Sequence, residues 1–243
     1  MRIDVLCNDG SPLGVTEKSI FGEDGRMGVG GAELALLTLC RAWHDAGHEV
    51  TLYNSPDAQG SSVFLQKPIE SFSPQAPRDV LIVFRSPNTR IINEKSVSGL
   101  KIWWSTDQRT VGNFSEFAGQ VDKIVTISPY HSQYFSDVYG INNTIPIDLP
   151  VRTWEYEQSV KKIPYRCIYN SMPDRGVTKL ATLWGRIVEA VPEASLVITS
   201  DWRLWTKWAH VGLIENFKAA FAKLENVEYV AAVNRKQLIT LEQ

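Results

Sequence analysis

Short apolar runs alternate along the chain with longer stretches whose apolar residues recur every three or four positions. Ile3–Cys7 predicts a strand. Ala32–Ala46 predicts a helix that closes on Gly47, and Glu49–Tyr53 predicts the next strand. Asp79–Phe84, Lys101–Trp104 and Lys123–Ile127 are three more runs of strand length. Pro129–Tyr139 predicts a helix that closes on Gly140, with Pro in the first turn and Gly just past the end. Strands of this kind separated by helices indicate an α/β fold, a parallel sheet wrapped by helices.

The pattern pauses over Asn142–Pro164. That segment holds Pro146, Pro150 and Pro164 and the charged middle Arg152-Thr153-Trp154-Glu155-Tyr156-Glu157. Then the pattern restarts. Tyr165–Tyr169, Leu196–Thr199 and Val227–Val230 predict strands, and Val177–Val191, Leu213–Leu224 and Arg235–Leu241 predict helices. In the first of these helices, Leu180, Leu183, Trp184, Ile187, Val188 and Val191 share one stripe. The expected organisation is a first α/β domain over residues 1–141, an interdomain connection over 142–164 and a partial second domain over 165–243. The second has three predicted strands, where sheets average about 5–6. One continuous sheet is the alternative.

Composition narrows the function classes. Hydrophobic residues make up 44% of the 243 residues and charged residues 21%, which excludes a disordered chain. Lys plus Arg (25) against Asp plus Glu (27) leaves a net charge of −2, so no global field draws in nucleic acid or an anionic membrane. No run approaches the roughly 18 consecutive apolar residues of a membrane span. Asp4 inside the first apolar run argues for a buried strand rather than a signal peptide. Cys7, Cys40 and Cys167 are far apart, odd in number and set in apolar segments. They form neither a disulfide framework nor a zinc cluster, and the expected location is the cytoplasm. None of His44, His48, His131 and His210 pairs with a Cys or carboxylate at metal-ligand spacing, so no metal site is expected.

Four segments hold candidate chemistry. Gly28-Val29-Gly30-Gly31-Ala32-Glu33 opens a helix. There, glycines permit close approach of a ligand, and free N–H groups favour an anion. A dinucleotide fingerprint is disfavoured: Glu33 stands where the third Gly belongs, the preceding loop is long, and no acidic residue follows Tyr53-Asn54. The plain alternative is a glycine-rich helix start with Glu33 as a first-turn acid. Pro173-Asp174-Arg175-Gly176 follows a strand at the edge where open α/β sheets bind ligands, and Arg175 is either a phosphate partner or a solvated turn residue. Asp107, after Trp103-Trp104-Ser105-Thr106, either accepts a sugar hydroxyl or caps a helix, capping being the commoner role. Ser200–Trp208 interleaves aromatics with Arg203 and Lys207, which suits base or sugar stacking. Trp205 and Trp208 share a helical face, and that favours core packing.

Taken together, these segments resemble a known family. GVGGAELALLTLCRAWHDAGHEVTLYN resembles the first-domain start of retaining GT-B glycosyltransferases of the family 4, or group 1, type. VDKIVTISPYHSQYFSDVYG resembles that family's later strand and Ser-x-Tyr/Phe helix. KKIPYRCIYNSMPDRGVTKLATLWGRIVEAVPEASLVI resembles the second-domain start of a branch with a Ser-Pro-Asp-Arg-Gly turn, and NVEYVAAVNRKQL the next strand and helix.

The resemblance implies a GT-B-like fold: a complete N-terminal Rossmann-like domain on the acceptor side and a partial C-terminal one on the nucleotide-sugar side, facing across a cleft. It implies that Gly30 and Gly31 lie against the donor phosphates or the reacting sugar and that Glu33 orients their loop. Arg175 would take the donor diphosphate, with Asn170 and Ser171 lining the same pocket. Asp107 would sit near sugar or acceptor, and Ser128 and Tyr130 would face the cleft. Asp107 and Arg175 are the candidate catalytic residues. The chain departs from the family with Ser105-Thr106 before Asp107, Ile145-Pro146-Ile147-Asp148 for Asn-Gly-Ile-Asp, and Ala231-Ala232 where a Gly is common. It stops before the Glu-x7-Glu segment that grips nucleotide and sugar, so the second domain is expected to be truncated.

The function implied is a hexosyltransferase-type glycosyltransferase. It would move a sugar from a nucleotide-diphospho-sugar to a hydroxyl acceptor with retention, without a metal and without a cofactor other than the donor substrate. The acceptor would be a glycan, a lipid-linked sugar or, with less support from the charge, nucleic acid. The alternative is a non-catalytic or partner-dependent binding module, with a homo-oligomer or a partner chain covering the short second domain. A nicotinamide oxidoreductase is the fold-level rival, and the missing acid after Tyr53 speaks against it.

Overall fold

A computed structural model describes residues 1–7, 15–21, 28–56, 62–87, 96–109, 112–156, 160–200 and 211–243. The chain divides into two compact units, Met1–Lys18 with Gly31–Val151, and Ser19–Gly30 with Arg152–Gln243.

The first unit is built on a seven-stranded sheet of parallel strands, ordered β3-β2-β1-β4-β5-β6-β7. The strands are β1 (Arg2–Leu6), β2 (Glu49–Tyr53), β3 (Leu65–Lys67), β4 (Val80–Phe84), β5 (Leu100–Trp104), β6 (Lys123–Thr126) and β7 (Thr144–Pro146). Its helices are α2 (Gly31–Asp45), α3 (Phe114–Ala118) and α4 (Pro129–Tyr139), while the short α1 (Glu17–Phe21) spans the boundary between units. β1, β2 and β4 are buried beyond their first residue because both faces are covered, and β4 is accordingly a continuous apolar run. Gly140 ends α4 at φ 68°, its N–H bonded to Phe135 and Ser136 carbonyls.

Two edge strands were not expected from the pattern. Thr144–Pro146, inside the segment read as the interdomain connection, pairs with β6 as the seventh strand. Leu65–Lys67 forms the opposite edge beside β2. Each is three residues long. Pro146 is tolerated there because an edge strand leaves one side of the ladder unpaired.

The core of the first unit gathers around Trp103, which is fully buried. Its ring meets Phe114 at 4.9 Å, Phe117 at 5.6 Å and Phe135 at 5.5 Å. α3 and α4 thereby pack against β5 at Trp103. A buried ion pair, Arg78 with Asp4, lies in the same unit.

The second unit holds a parallel sheet ordered β10-β9-β8, from β8 (Arg166–Tyr169), β9 (Ser195–Ile198) and β10 (Val227–Tyr229). Its longer helices are α5 (Val177–Ala190), α6 (Val211–Phe221) and α7 (Arg235–Glu242). On α5 the apolar stripe buries Val177, Trp184 and Val188, with Leu180, Ile187 and Val191 packed at its margin. Leu183 departs from the expected stripe and is 48% exposed. The indole N–H of Trp184 donates to the Glu225 carbonyl at 2.7 Å. The turn Thr153–Glu155 is joined to α7: Arg235 reaches Glu155 Oε2 at 2.7 Å, and the Tyr156 hydroxyl meets the Glu242 carboxylate. The aromatic run at Asp201–Trp208 lies outside the described residues.

Candidate functional site

In open α/β sheets the C-terminal ends of the strands carry the ligands. In the first unit this edge is where Arg85 leaves β4, Ser105–Gln108 leave β5 and Ile127-Ser128 leave β6.

Arg85 is the centre of that edge. Its Nη1 lies 2.9 Å from Glu33 Oε1, in the first turn of α2, and its Nε lies 3.2 Å from Asp107 Oδ2. Thr106 Oγ1 also donates to Asp107 Oδ2, at 3.2 Å. Glu33 and Asp107, expected as separate candidates, are thus joined through a residue the sequence reading passed over. The signal was a cation placed directly after a strand. The helices that follow Asp107 have other caps: Asn113 caps α3 and Ser128 caps α4.

The backbone of Arg85 is left-handed, at φ 63°. Such a conformation costs a non-glycine residue on the order of 1–2 kcal/mol and persists only where its surroundings impose it. Here the Arg85 N–H donates to the Trp104 carbonyl at 2.8 Å, and the Trp103 indole N–H donates to the Arg85 carbonyl at 2.8 Å.

His131, on α4, is buried and has both ring nitrogens engaged. The Ile127 N–H donates to Nδ1 at 3.3 Å. The ring proton therefore sits on Nε2, which donates to the Asp107 carbonyl at 3.2 Å. Burial lowers the His131 pKa, opposed in part by the Asp107 carbonyl and carboxylate. The same carbonyl accepts the Ser105 hydroxyl at 3.1 Å.

The remaining first-unit candidates are nearby in sequence but differ in kind. Ser128 accepts the His131 N–H at 3.1 Å, a helix cap. Tyr130 is 69% exposed. Gly31 begins α2, and a Cβ there would meet nothing within 4 Å. Gly30 falls on the other side of the unit boundary.

In the second unit, Asn170–Gly176 leave β8 and enter α5. Gly176 caps α5 at φ 105° with no side-chain hydrogen bond, a conformation that favours glycine. Arg175 is exposed, and its N–H donates to the Met172 carbonyl at 3.0 Å. The Tyr169 hydroxyl donates to the same carbonyl at 2.7 Å. Its pKa is raised, mainly by burial, against a hydrogen bond from the Val177 N–H. Asn170 is committed elsewhere, with Nδ2 donating to Glu242 Oε1 at 2.6 Å. The Ser171 carbonyl accepts the Ser200 hydroxyl. Among the described residues no three His, Cys, Asp or Glu side chains form a group able to hold a metal ion. No helix among them is long and apolar enough to cross a membrane.

No protein-family model and no curated protein matches this chain. Solved structures do. The crystal structure of AviGT4, a glycosyltransferase involved in avilamycin A biosynthesis, matches 98% of this chain at a TM-score of 0.60 and 18% identity. This chain spans 66% of its length. The catalytic domain of starch synthase IV from Arabidopsis thaliana, bound to ADP and acarbose, matches 99% of this chain at a TM-score of 0.58 and 10% identity. There the span is 76% of that chain. The fold is accordingly α/β of the GT-B type.

Proposed function

We propose that this chain belongs to a retaining glycosyltransferase that moves a hexose-type sugar from a nucleotide-diphospho-sugar to a hydroxyl acceptor, without a metal. The observation that carries the reading is the turn after β8. Gly176 opens α5 with no capping side chain of its own, the Val177 N–H meets the Tyr169 hydroxyl, and Arg175 stands exposed beside them. A helix N-terminus with an adjacent guanidinium suits a diphosphate.

In this reading the acceptor oxygen forms a bond to the anomeric carbon on the face the donor leaves. The bond from that carbon to the diphosphate breaks, the nucleoside diphosphate departs with the electron pair, and the acceptor hydroxyl's proton passes to the departing diphosphate oxygen on that same face. Arg175 and the N–H groups of α5 stabilise that charge as it develops. Gly30 and Gly31 admit the donor closely, with Ser171 beside the diphosphate. Asp107 accepts the acceptor or sugar hydroxyl, Glu33 fixes its side of the site, and Ser128 and Tyr130 border it. Asn170, whose Nδ2 donates to Glu242 Oε1, lines the same pocket as Ser171. The acceptor classes are a glycan, a lipid-linked sugar or nucleic acid, the last disfavoured by the net charge of −2.

The test is thermal melting of the chain with uridine, guanosine and adenosine diphospho-sugars. A ligand that binds only the folded state raises the midpoint. One donor is expected to raise it, and Arg175→Ala to abolish the rise. A rise that survives Arg175→Ala removes the role given to Arg175. No rise with any donor overturns donor binding by this chain.

A second reading, a partner-dependent binding module, is favoured by exposed apolar side chains in the second unit. Trp154 is 68% exposed, Ile163 57% and Tyr165 62%. Concentration-dependent sedimentation tests it.

A further inference from the structure

We infer that Arg85 and His131 are positioning residues that jointly fix Asp107 at the C-terminal edge of the first sheet, Arg85 by its carboxylate and His131 by its carbonyl. The inference rests on the sugar-transfer reading, and it gives that site two residues to which no role was assigned.

Asp107 is held at both ends. Its side chain meets the Arg85 guanidinium at 3.2 Å, and its carbonyl meets His131 Nε2 at 3.2 Å. Neither partner is free to drift. The Arg85 backbone is pinned by Trp103 and Trp104, and its guanidinium also meets Glu33. The His131 ring is buried, with Nδ1 on the Ile127 N–H and an edge-on contact to Phe135 at 4.7 Å between ring centres.

The arrangement is more than a packing detail. A left-handed arginine is a cost the fold sustains at the sheet edge where ligands bind. A loop that needed only to be closed could place Gly there. What arginine adds is a two-armed contact to a carboxylate on α2 and another after β5. His131, from α4, adds the third direction. Arg85 at the end of β4 and His131 of α4 therefore hold one residue, by its carboxylate and by its carbonyl, and the carboxylate remains partly exposed, with 26% of its side chain accessible. Preorganisation of this kind matters because a misplacement of about 1 Å costs on the order of 100-fold in rate.

The test uses nuclear magnetic resonance on the isotope-labelled full chain. The nitrogen shifts of His131 report its tautomer, and the Asp107 carboxyl carbon, identified by its loss in Asp107→Asn, reports the site. The expected result at neutral pH is the Nε2–H tautomer. The Asp107 carboxyl signal is expected to move in Arg85→Gln and in His131→Ala, and to return toward its native position in Arg85→Lys. An Nδ1–H or charged His131, or a signal that moves in only one of the two variants or in neither, overturns the inference. If a variant fails to fold, the native-chain tautomer and Arg85→Lys decide. Failure of every donor to raise the melting temperature removes the sugar-transfer reading and leaves this result standing.

Discussion

Arg78 Nε lies 2.7 Å from Asp4 Oδ2, and neither side chain reaches solvent appreciably, at 0% and 9% exposure. The guanidinium also donates to the Ser73 carbonyl at 2.6 Å and lies 4.8 Å from the centre of the Phe72 ring. Removing one partner of such a pair strands the other, at about 3–5 kcal/mol. Arg78→Ala is expected to lower unfolding stability by that amount in urea denaturation. Asp4→Leu combined with Arg78→Met is expected to recover most of it. A double variant as unstable as the single one would show that the pair is indispensable as a pair.

His131 makes stability depend on pH in a definite direction. Its pKa in the folded chain is lowered by burial below the ordinary value of about 6.5. The fold therefore favours the neutral ring, and a proton on Nδ1 would face the Ile127 N–H. The contribution is fully present above about pH 6.5 and is lost as pH falls from there toward the folded pKa. Urea midpoints measured from pH 7.5 down to 5 should fall more steeply for the native chain than for His131→Gln. Parallel curves would remove His131 as the source.

Ala231 sits at φ 59°. The left-handed conformation costs Ala about 1–2 kcal/mol, while Gly brings an entropic loss of about 0.5–1 kcal/mol. Ala231→Gly is expected to stabilise the chain by about 0.5–1 kcal/mol, read as a higher urea midpoint at unchanged slope. A lower midpoint would mean that the methyl group packs more than it strains.

Glu155 is shared by two guanidinium groups. Arg152 Nε lies 2.5 Å from Oε1 and Arg235 Nη2 lies 2.7 Å from Oε2, with all three side chains no more than 15% exposed. Glu155→Ala leaves two cations facing each other and should cost about 3–5 kcal/mol. Hydrogen exchange should show the loss as faster exchange in α7. Unchanged exchange in α7 would mean that Glu242, through Tyr156 and Asn170, suffices to hold the helix.

Much of the fold was legible because local signals and burial agree. Glu49–Tyr53 and Pro129–Tyr139 form over the residues the pattern indicates. The first pairs Val50, Leu52 and Tyr53 in a short run just past the helix-closing Gly47, and the second is bounded by Pro129 and Gly140. β3 and β7 were not legible: three residues are too few to show a period, and both lie at a sheet edge with exposed side chains. The candidate site was legible as points but not as contacts. Glu33 and Asp107 each carried a local signal. What joins them is Arg85, whose backbone shape comes from Trp103 and Trp104 on the neighbouring strand, not from a turn residue in its own sequence. Likewise nothing local to Asn170 shows its bond to Glu242, which α7 brings to it from 72 residues later.

The indole of Trp103 has one face of its duty in each of two worlds. Its ring is enclosed by Phe114, Phe117 and Phe135, yet its N–H ends on the carbonyl of Arg85. The chain therefore carries its own gauge of the sheet edge. A single indole proton, shielded from water by the aromatic core, will register any change in the strained peptide next to the carboxylates, without a label attached and without an activity to assay.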